Sequence, residues 1–242
     1  MPARGRMWQD AGMHALPHLA AVDWFALAVF FACWGGYAWF SERSRQGACG
    51  LIRTSQAYRL EWACRMLERD LRMTDSTLIG NLMTSVSFYA NTTIYIIAGL
   101  VAALGAADKL LSLTAGLPFG GITHRELLEV KLVLVLASFV FAYFKFTWSL
   151  RQFNLLSILV GAAPFGSRDD PAIAAYARRL AGANNLAGDD FNRGIRAYYF
   201  GLAASGWLLH PLALAALALA VLIVLYRRDY RSPALHVLRD SA

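Results

Sequence analysis

Nineteen residues, Leu132 to Leu150, read LVLVLASFVFAYFKFTWSL, with Lys131 before them and Arg151 and Gln152 after. A helix rises about 1.5 Å per residue, so the run covers roughly 30 Å, the hydrocarbon thickness of a bilayer. Leu, Val, Phe and Ala ask nothing of water there. Lys145 does, because an ammonium at the middle of a span costs on the order of 3 kcal/mol on insertion scales. Reaching to the interface, pairing with an acid, or facing a polar site would each relieve that cost. Lys145 lies six residues from Arg151, about 9 Å of rise, so snorkelling is the default reading and a site is the alternative.

The rest of the chain repeats the pattern of that run. Of its 242 residues 57% are hydrophobic and only 16% charged, with a mean hydropathy of +0.42. The charges cluster between apolar runs, as loops and spans separate in a polytopic protein. The expected fold class is therefore all-α: a polytopic membrane protein with four transmembrane helices at about 22–40, 78–104, 132–152 and 196–226. Amphipathic cytoplasmic helices are expected at about 51–75 and 171–185. Residues 1–21 read as a disordered arm, 22–232 as the membrane domain and 233–242 as a tail.

Local patterns give each segment its character. Ala28, Ala32 and Gly36 form a small-residue face on the first span, open to close helix approach. In 51–75, Ala57, Leu60, Cys64, Leu67 and Leu71 share one face, Tyr58, Trp62 and Met66 another. Glu61 with Arg65 and Glu68 with Arg72 stand at i,i+4 pairing distance. The second span carries Asn81, Ser85, Phe88, Thr92, Tyr95 and Gly99 at steps of three and four. Thr123 with Glu126 reads as a capping box for the third span, which continues toward Pro164 and aligns Ser138, Lys145, Ser149 and Gln152. Asp169, Asp170 and Pro171 form a helix start. Gly188, Asp189 and Asp190 are expected to end that helix or begin the next. On the last span Arg193, Arg196, Tyr199, Gly206 and His210 fall at helical steps, and Pro211 predicts a kink.

Two sites follow from these lines. The first is an intramembrane polar pocket of Lys145, Asn81, Ser85, Thr92, Ser149, Tyr199 and His210, contributed by three spans. The second is a basic cytoplasmic surface of Arg59, Arg65, Arg69, Arg72, Arg151, Arg193 and Arg196. No HExxH, GxSxG, paired carboxylate or phosphate-binding loop occurs, and every carboxylate is expected outside the span interiors, so an enzyme is not expected. His210 has no second histidine on a span to complete a haem or metal site, and Cys33, Cys49 and Cys64 lack metal-ligand or disulfide spacing. Neither cofactor nor metal is expected. The formal charge of +7 sits on arginines flanking apolar runs, which suits positive-inside topology and anionic lipid better than nucleic acid. The expected setting is the inner cell membrane, multi-pass, with the lipid bilayer as partner and assembly as a homo-oligomer.

If 41–75 and 151–196 share one side, thirteen basic residues stand there against nine on the other. That places both termini outside, although Arg227, Arg228 and Arg231 pull the other way.

The phrases SVSFYANTTIYIIAGL, LLEVKLVLVLASFVFAYFKFTWSLRQFN with ILVGAAP, FNRGIRAYYFGLAASGWLLHP and VLYRRDYRS resemble a bacterial and plant membrane family known as domain of unknown function 599. The resemblance runs from about Asp23 to Ser232. It implies a multi-span membrane protein and no particular reaction. Two functions are weighed on the residues themselves. One is a transport or channel component with a cationic pocket at Lys145. The other is a structural or regulatory module whose arginine-rich helices bind a partner or anionic lipid.

Overall fold

The computed structural model describes residues 19–43, 51–114, 124–233 and Val237. The segment holding Thr123 of the expected capping box, Cys49, and nearly all of the expected arm and tail lie outside them. Among the described residues the chain is helical, without strands: α1 Ala21–Arg43, α2 Leu51–Leu67, α3 Met73–Gly105, α4 Ala107–Thr114, α5 Arg125–Gly161, α6 Pro171–Ser205 and α7 Pro211–Tyr230. Four of these, α1, α3, α5 and α7, are long and apolar enough to cross a membrane. Their outer faces suit lipid: Phe31, Phe88, Phe144, Leu219 and Ile223 are exposed, and Trp24 and Trp39 stand near the two ends of α1, where amphipathic rings anchor at headgroup depth.

Three expectations about helix boundaries change. The last span is two helices rather than one kinked helix: α6 stops at Ser205, a short 3-10 turn covers Gly206–Leu208, and α7 begins at Pro211. Pro211 takes the first helical position, where its missing N–H costs nothing. His210 caps the helix, its Nδ1 accepting from the Leu212 N–H at 3.1 Å. Gly206 makes the reversal tight, since a Cβ there would stand 2.5 Å from Leu217 Cδ1. Pro and histidine thus start a helix that folds back on α6.

The second change concerns Gly188 to Asp190, which lie inside continuous α6. Asp170 starts α6 as expected, accepting from the Ala172 N–H at 2.8 Å. Further along, the missing side chains of Gly188 and Gly194 receive neighbours: a Cβ would come within 2.5 Å of Arg59 Nη2 at the first and 2.6 Å of Phe146 Cε1 at the second. Tertiary contact overrides the weak helix preference of glycine. The third change is in α2, which ends at Leu67, leaving 73–75 to α3. Its buried face is Ala63, Met66 and Leu67. Tyr58 and Leu60, by contrast, are exposed. Arg65 pairs with Glu61 at 2.7 Å as expected; Glu68 instead meets Arg168, and Arg72 donates to the carbonyls of Ala163 and Pro164.

Helices α5 and α6 form the central antiparallel pair. Two apolar clusters run along it, one around Phe146, Leu156, Leu180 and Ala187, the other around Phe30, Phe139, Phe200 and Trp207. Phe200 stacks on Trp34 at 5.7 Å and meets Phe30 edge-on at 5.9 Å, which fixes α1 against α6. The start of α1 lies beside the end of α6, where Trp207 Nε1 donates to Asp23 at 2.7 Å. Its end lies beside the end of α7, where Tyr37 donates to Asp229 at 2.6 Å. The second half of α6 therefore runs among the spans, antiparallel to both α1 and α7. The expectation that both termini share one side is corrected: α1 begins at one end of the bundle and α7 finishes at the other.

Candidate functional site

Charge is unequally divided between those two ends. Among the described basic residues only Lys109, Arg125 and Lys131 lie toward the end where α1 begins. All the arginines of α2, α6, α7 and the α2–α3 and α5–α6 turns gather at the opposite, arginine-rich end. There α6 supplies a helical line of Asp189, Asp190, Asn192, Arg193 and Arg196, spaced so that neighbours meet at steps of three and four. Side chains of this line meet α5 through Asp190 and α1 through Arg193 and Arg196, which makes α6 the hub of a polar belt.

The belt begins on α5. Lys145 Nζ donates to Asp190 Oδ1 at 3.1 Å, Gln152 Nε2 donates to Asp190 Oδ2 at 2.6 Å, and Arg193 reaches the same carboxylate at 3.3 Å. Ser149 donates to the Ala187 carbonyl at 2.7 Å. The α5 line of Lys145, Ser149 and Gln152 thus faces α6. Lys145 neither snorkels freely nor opens a cavity; it is paired, with its Nζ also 6.0 Å from the Phe141 ring centre. Toward α1, Arg193 Nε donates to Glu42 at 2.9 Å, and Arg196, 5% exposed, donates to Ser41 and to Glu42. Asp229 on α7 closes the ring through Tyr37 and Arg228.

The pocket expected around Lys145 does not form. Asn81 and Ser85 are exposed on α3, and the hydroxyls of Ser85 and Thr92 are spent on the carbonyls four residues back, at 3.0 and 2.8 Å. Hydroxyl groups on helices do this readily, so their spacing alone carried no site. His210 is the cap of α7 at the far end, and Tyr199 lies under the Arg228 guanidinium at 5.9 Å. Of the seven residues, only Lys145 and Ser149 come together. The expected basic surface divides likewise: Arg193 and Arg196 are in the belt, Arg69 holds buried Asp75 at 3.0 Å, Arg65 pairs with Glu61, and Arg151 sits 5.5 Å from the Trp148 ring.

Carboxylates also enter the spans, against expectation. Asp23 and Asp229 are 5% and 6% exposed, on α1 and α7. Lys131, read as a flank, is 2% exposed and lies 5.6 Å from the Trp207 ring centre. Asp23 and Asp229 were missed because each sits within one turn of a span end, and Lys131 because α5 begins at Arg125, earlier than the apolar run that hydropathy marks.

A cavity of ≈ 240 Å³ opens where α1, α2, α6 and α7 converge at this end. Its lining comprises Ser41, Glu42, Leu51, Arg53, Gln56, Asp189, Asn192, Arg193, Arg196, Asp229 and Tyr230. Spans α1 and α7 end at Glu42 and Tyr230, so the cavity lies where the apolar spans finish. Arg59, beside it, donates to the Asn184 carbonyl at 3.3 Å and to Asn185 Oδ1 at 3.2 Å. Burial pushes its guanidinium below the usual range while the Asp189 charge opposes that. Burial likewise pushes the Asp189 carboxyl up, against the pull of Arg59, Arg193, Arg53 and Arg196. No group of three or more His, Cys, Asp or Glu able to hold a metal occurs among the described residues. Sequence reading found Arg193 and Arg196 but not Arg53, Gln56, Asp189 or Asn192, because only the convergence of four helices sets them around one space.

No curated protein and no solved structure matches the chain. The family model described as "Protein of unknown function, DUF599" matches residues 25–234, from the first span to just past α7, and the chain belongs to that family.

Proposed function

We propose that this membrane protein is a ligand-binding module that takes a polar molecule bearing an anionic group, of the kind a lipid headgroup carries, at its arginine-rich end. The observation that carries the reading is the cavity lined by Arg53, Arg193 and Arg196 at the level where α1 and α7 end. A guanidinium presents several N–H donors in a planar fork that matches phosphate or carboxylate oxygens. The surrounding arginines add a field that concentrates anionic lipid near the same surface. By the positive-inside rule this end faces the cytoplasm. The transport reading placed its solute at Lys145, and the Lys145–Asp190 ion pair removes the support on which it stood.

The test uses the purified full chain in mild detergent and measures retention of spin-labelled phosphatidylglycerol against a neutral diacylglycerol carrying the same label. Retention of the phosphatidylglycerol, weakened by Arg53→Gln, is the expected result. Arg53 is exposed and makes no hydrogen bond to another described residue, so its replacement leaves the fold intact. Equal retention of the two lipids would remove the reading.

A further inference from the structure

We propose that the molecule taken by this cavity is a zwitterion carrying a primary ammonium as well as an anionic group, the chemistry of a phosphoethanolamine headgroup, held between Arg53 and Asp189. The proposal rests on the preceding reading and narrows it.

The lining carries three arginines and three carboxylates, Arg53, Arg193 and Arg196 against Glu42, Asp189 and Asp229. A cavity built for a bare anion would hold an excess of positive charge, and this one is balanced. The charges are also not equally engaged. Glu42 is held by Arg193 and Arg196, and Asp229 by Tyr37 and Arg228. Arg53, Gln56, Asp189 and Asn192 line the same space and make no hydrogen bond to another described residue. What the cavity leaves unspent is therefore one guanidinium, one carboxylate and two carboxamides. That set offers donors to a phosphate, an acceptor to an ammonium, and amides that serve either. Asp189 is half-buried among Arg59, Arg193, Arg53 and Arg196, none of them within ion-pair distance, so its carboxylate pays for desolvation without a hydrogen-bonded partner. A ligand ammonium supplies that partner.

Position favours an amphiphile as the source. The cavity stands at the ends of two spans. Just below it, an apolar groove lined by Ala32, Cys33, Gly36, Tyr37, Leu222 and Tyr226 runs between α1 and α7, and Tyr37 at its top donates to Asp229 of the cavity wall.

The experiment measures retention of spin-labelled phosphatidylethanolamine, phosphatidylcholine and phosphatidylglycerol by the purified full chain, with glycerophosphoethanolamine as water-soluble competitor. The choline lipid has the same charges but no ammonium N–H, so the ethanolamine lipid is expected to be retained about tenfold more strongly. Asp189→Asn should abolish that preference, while Arg53→Gln should weaken ethanolamine and glycerol lipids alike. Asn192→Leu, which fills the cavity without removing charge, should lower all three. Competition by glycerophosphoethanolamine at concentrations comparable to the lipid assigns the site to the free solute. Its failure to compete assigns the site to the bilayer lipid; either carries the proposal. Equal retention of ethanolamine and choline lipids, or a preference that survives Asp189→Asn, overturns it even if phosphatidylglycerol remains bound through Arg53. Loss of every retained lipid would overturn the parent reading as well.

Discussion

Asp190 has two oxygens and serves three donors from two helices, so the consequences of changing its partners differ in size. Lys145→Met removes one donor and leaves Asp190 with Gln152 and Arg193. Breaking a buried ion pair outright costs about 3–5 kcal/mol, and the surviving partners with the part-exposed lysine reduce this to about 1–2 kcal/mol. Asp190→Ala strips Lys145 of its only ion-pair partner among the described residues and costs more, on the order of 3 kcal/mol. Thermal unfolding in detergent should rank the two variants in that order, and equal destabilisation would mean that the carboxylate is no hub. Asp189 gives a different signature. Burial raises its pKa in the folded state, so the stability contributed by its neutral form is complete below the unfolded value, about pH 4. That contribution is lost as pH rises through the raised value. Asp189→Asn should therefore lose less stability than the parent as pH rises above about 4, and parallel pH profiles would refute the assignment.

At the scale of elements, α6 is where sequence and structure part. The four apolar helices were legible from hydropathy and length, and the Asp170–Pro171 start of α6 from capping chemistry, because those signals are local. The passage through Gly188 to Asp190 was not, since Gly188 answers to the Arg59 side chain from another helix. Asp190 was hidden for the same reason: a carboxylate in a short polar stretch reads as a loop until Lys145 and Gln152 are brought against it across the α5–α6 pair. The reversal at Gly206 to Pro211 was half legible, as a break whose angle depends on Leu217 lying over Gly206. The dependence can be measured. Gly194→Ala drives a methyl into the Phe146 ring, which is fully buried, and should cost about 1–3 kcal/mol by overpacking. Gly182→Ala, in the same helix, has nothing within 4 Å of the new Cβ and should be neutral or stabilise by up to about 1 kcal/mol through helix propensity. Two equal outcomes in detergent unfolding would mean that α6 tolerates its glycines for backbone reasons alone.

For the whole molecule, the number of passes decides which ends face which compartment. A reading of four spans leaves Arg227, Arg228 and Arg231 on the side with fewer positive charges, a standing conflict with positive-inside topology. The contacts remove it. Asp23 meets Trp207 at one end, Tyr37 meets Asp229 at the other, and α6 runs between them before α7 returns. The second half of α6 does not stand out as a separate pass because it merges with α7 in the single run read at about 196–226 and its first turns carry the belt, where Arg193 and Arg196 both pair with Glu42 from α1. Once it is counted as a passage through the bundle, the arginines that close α7 join those of α2 and the α5–α6 turn. A reporter fused after Ser232 should then behave as one inserted in the α2–α3 turn near Asp70, both cytoplasmic, and opposite to one inserted after Thr114. If the reporter after Ser232 instead matches the one after Thr114, α6 does not cross with the spans. The convergence of α1, α2, α6 and α7 around the polar cavity would then be lost with it.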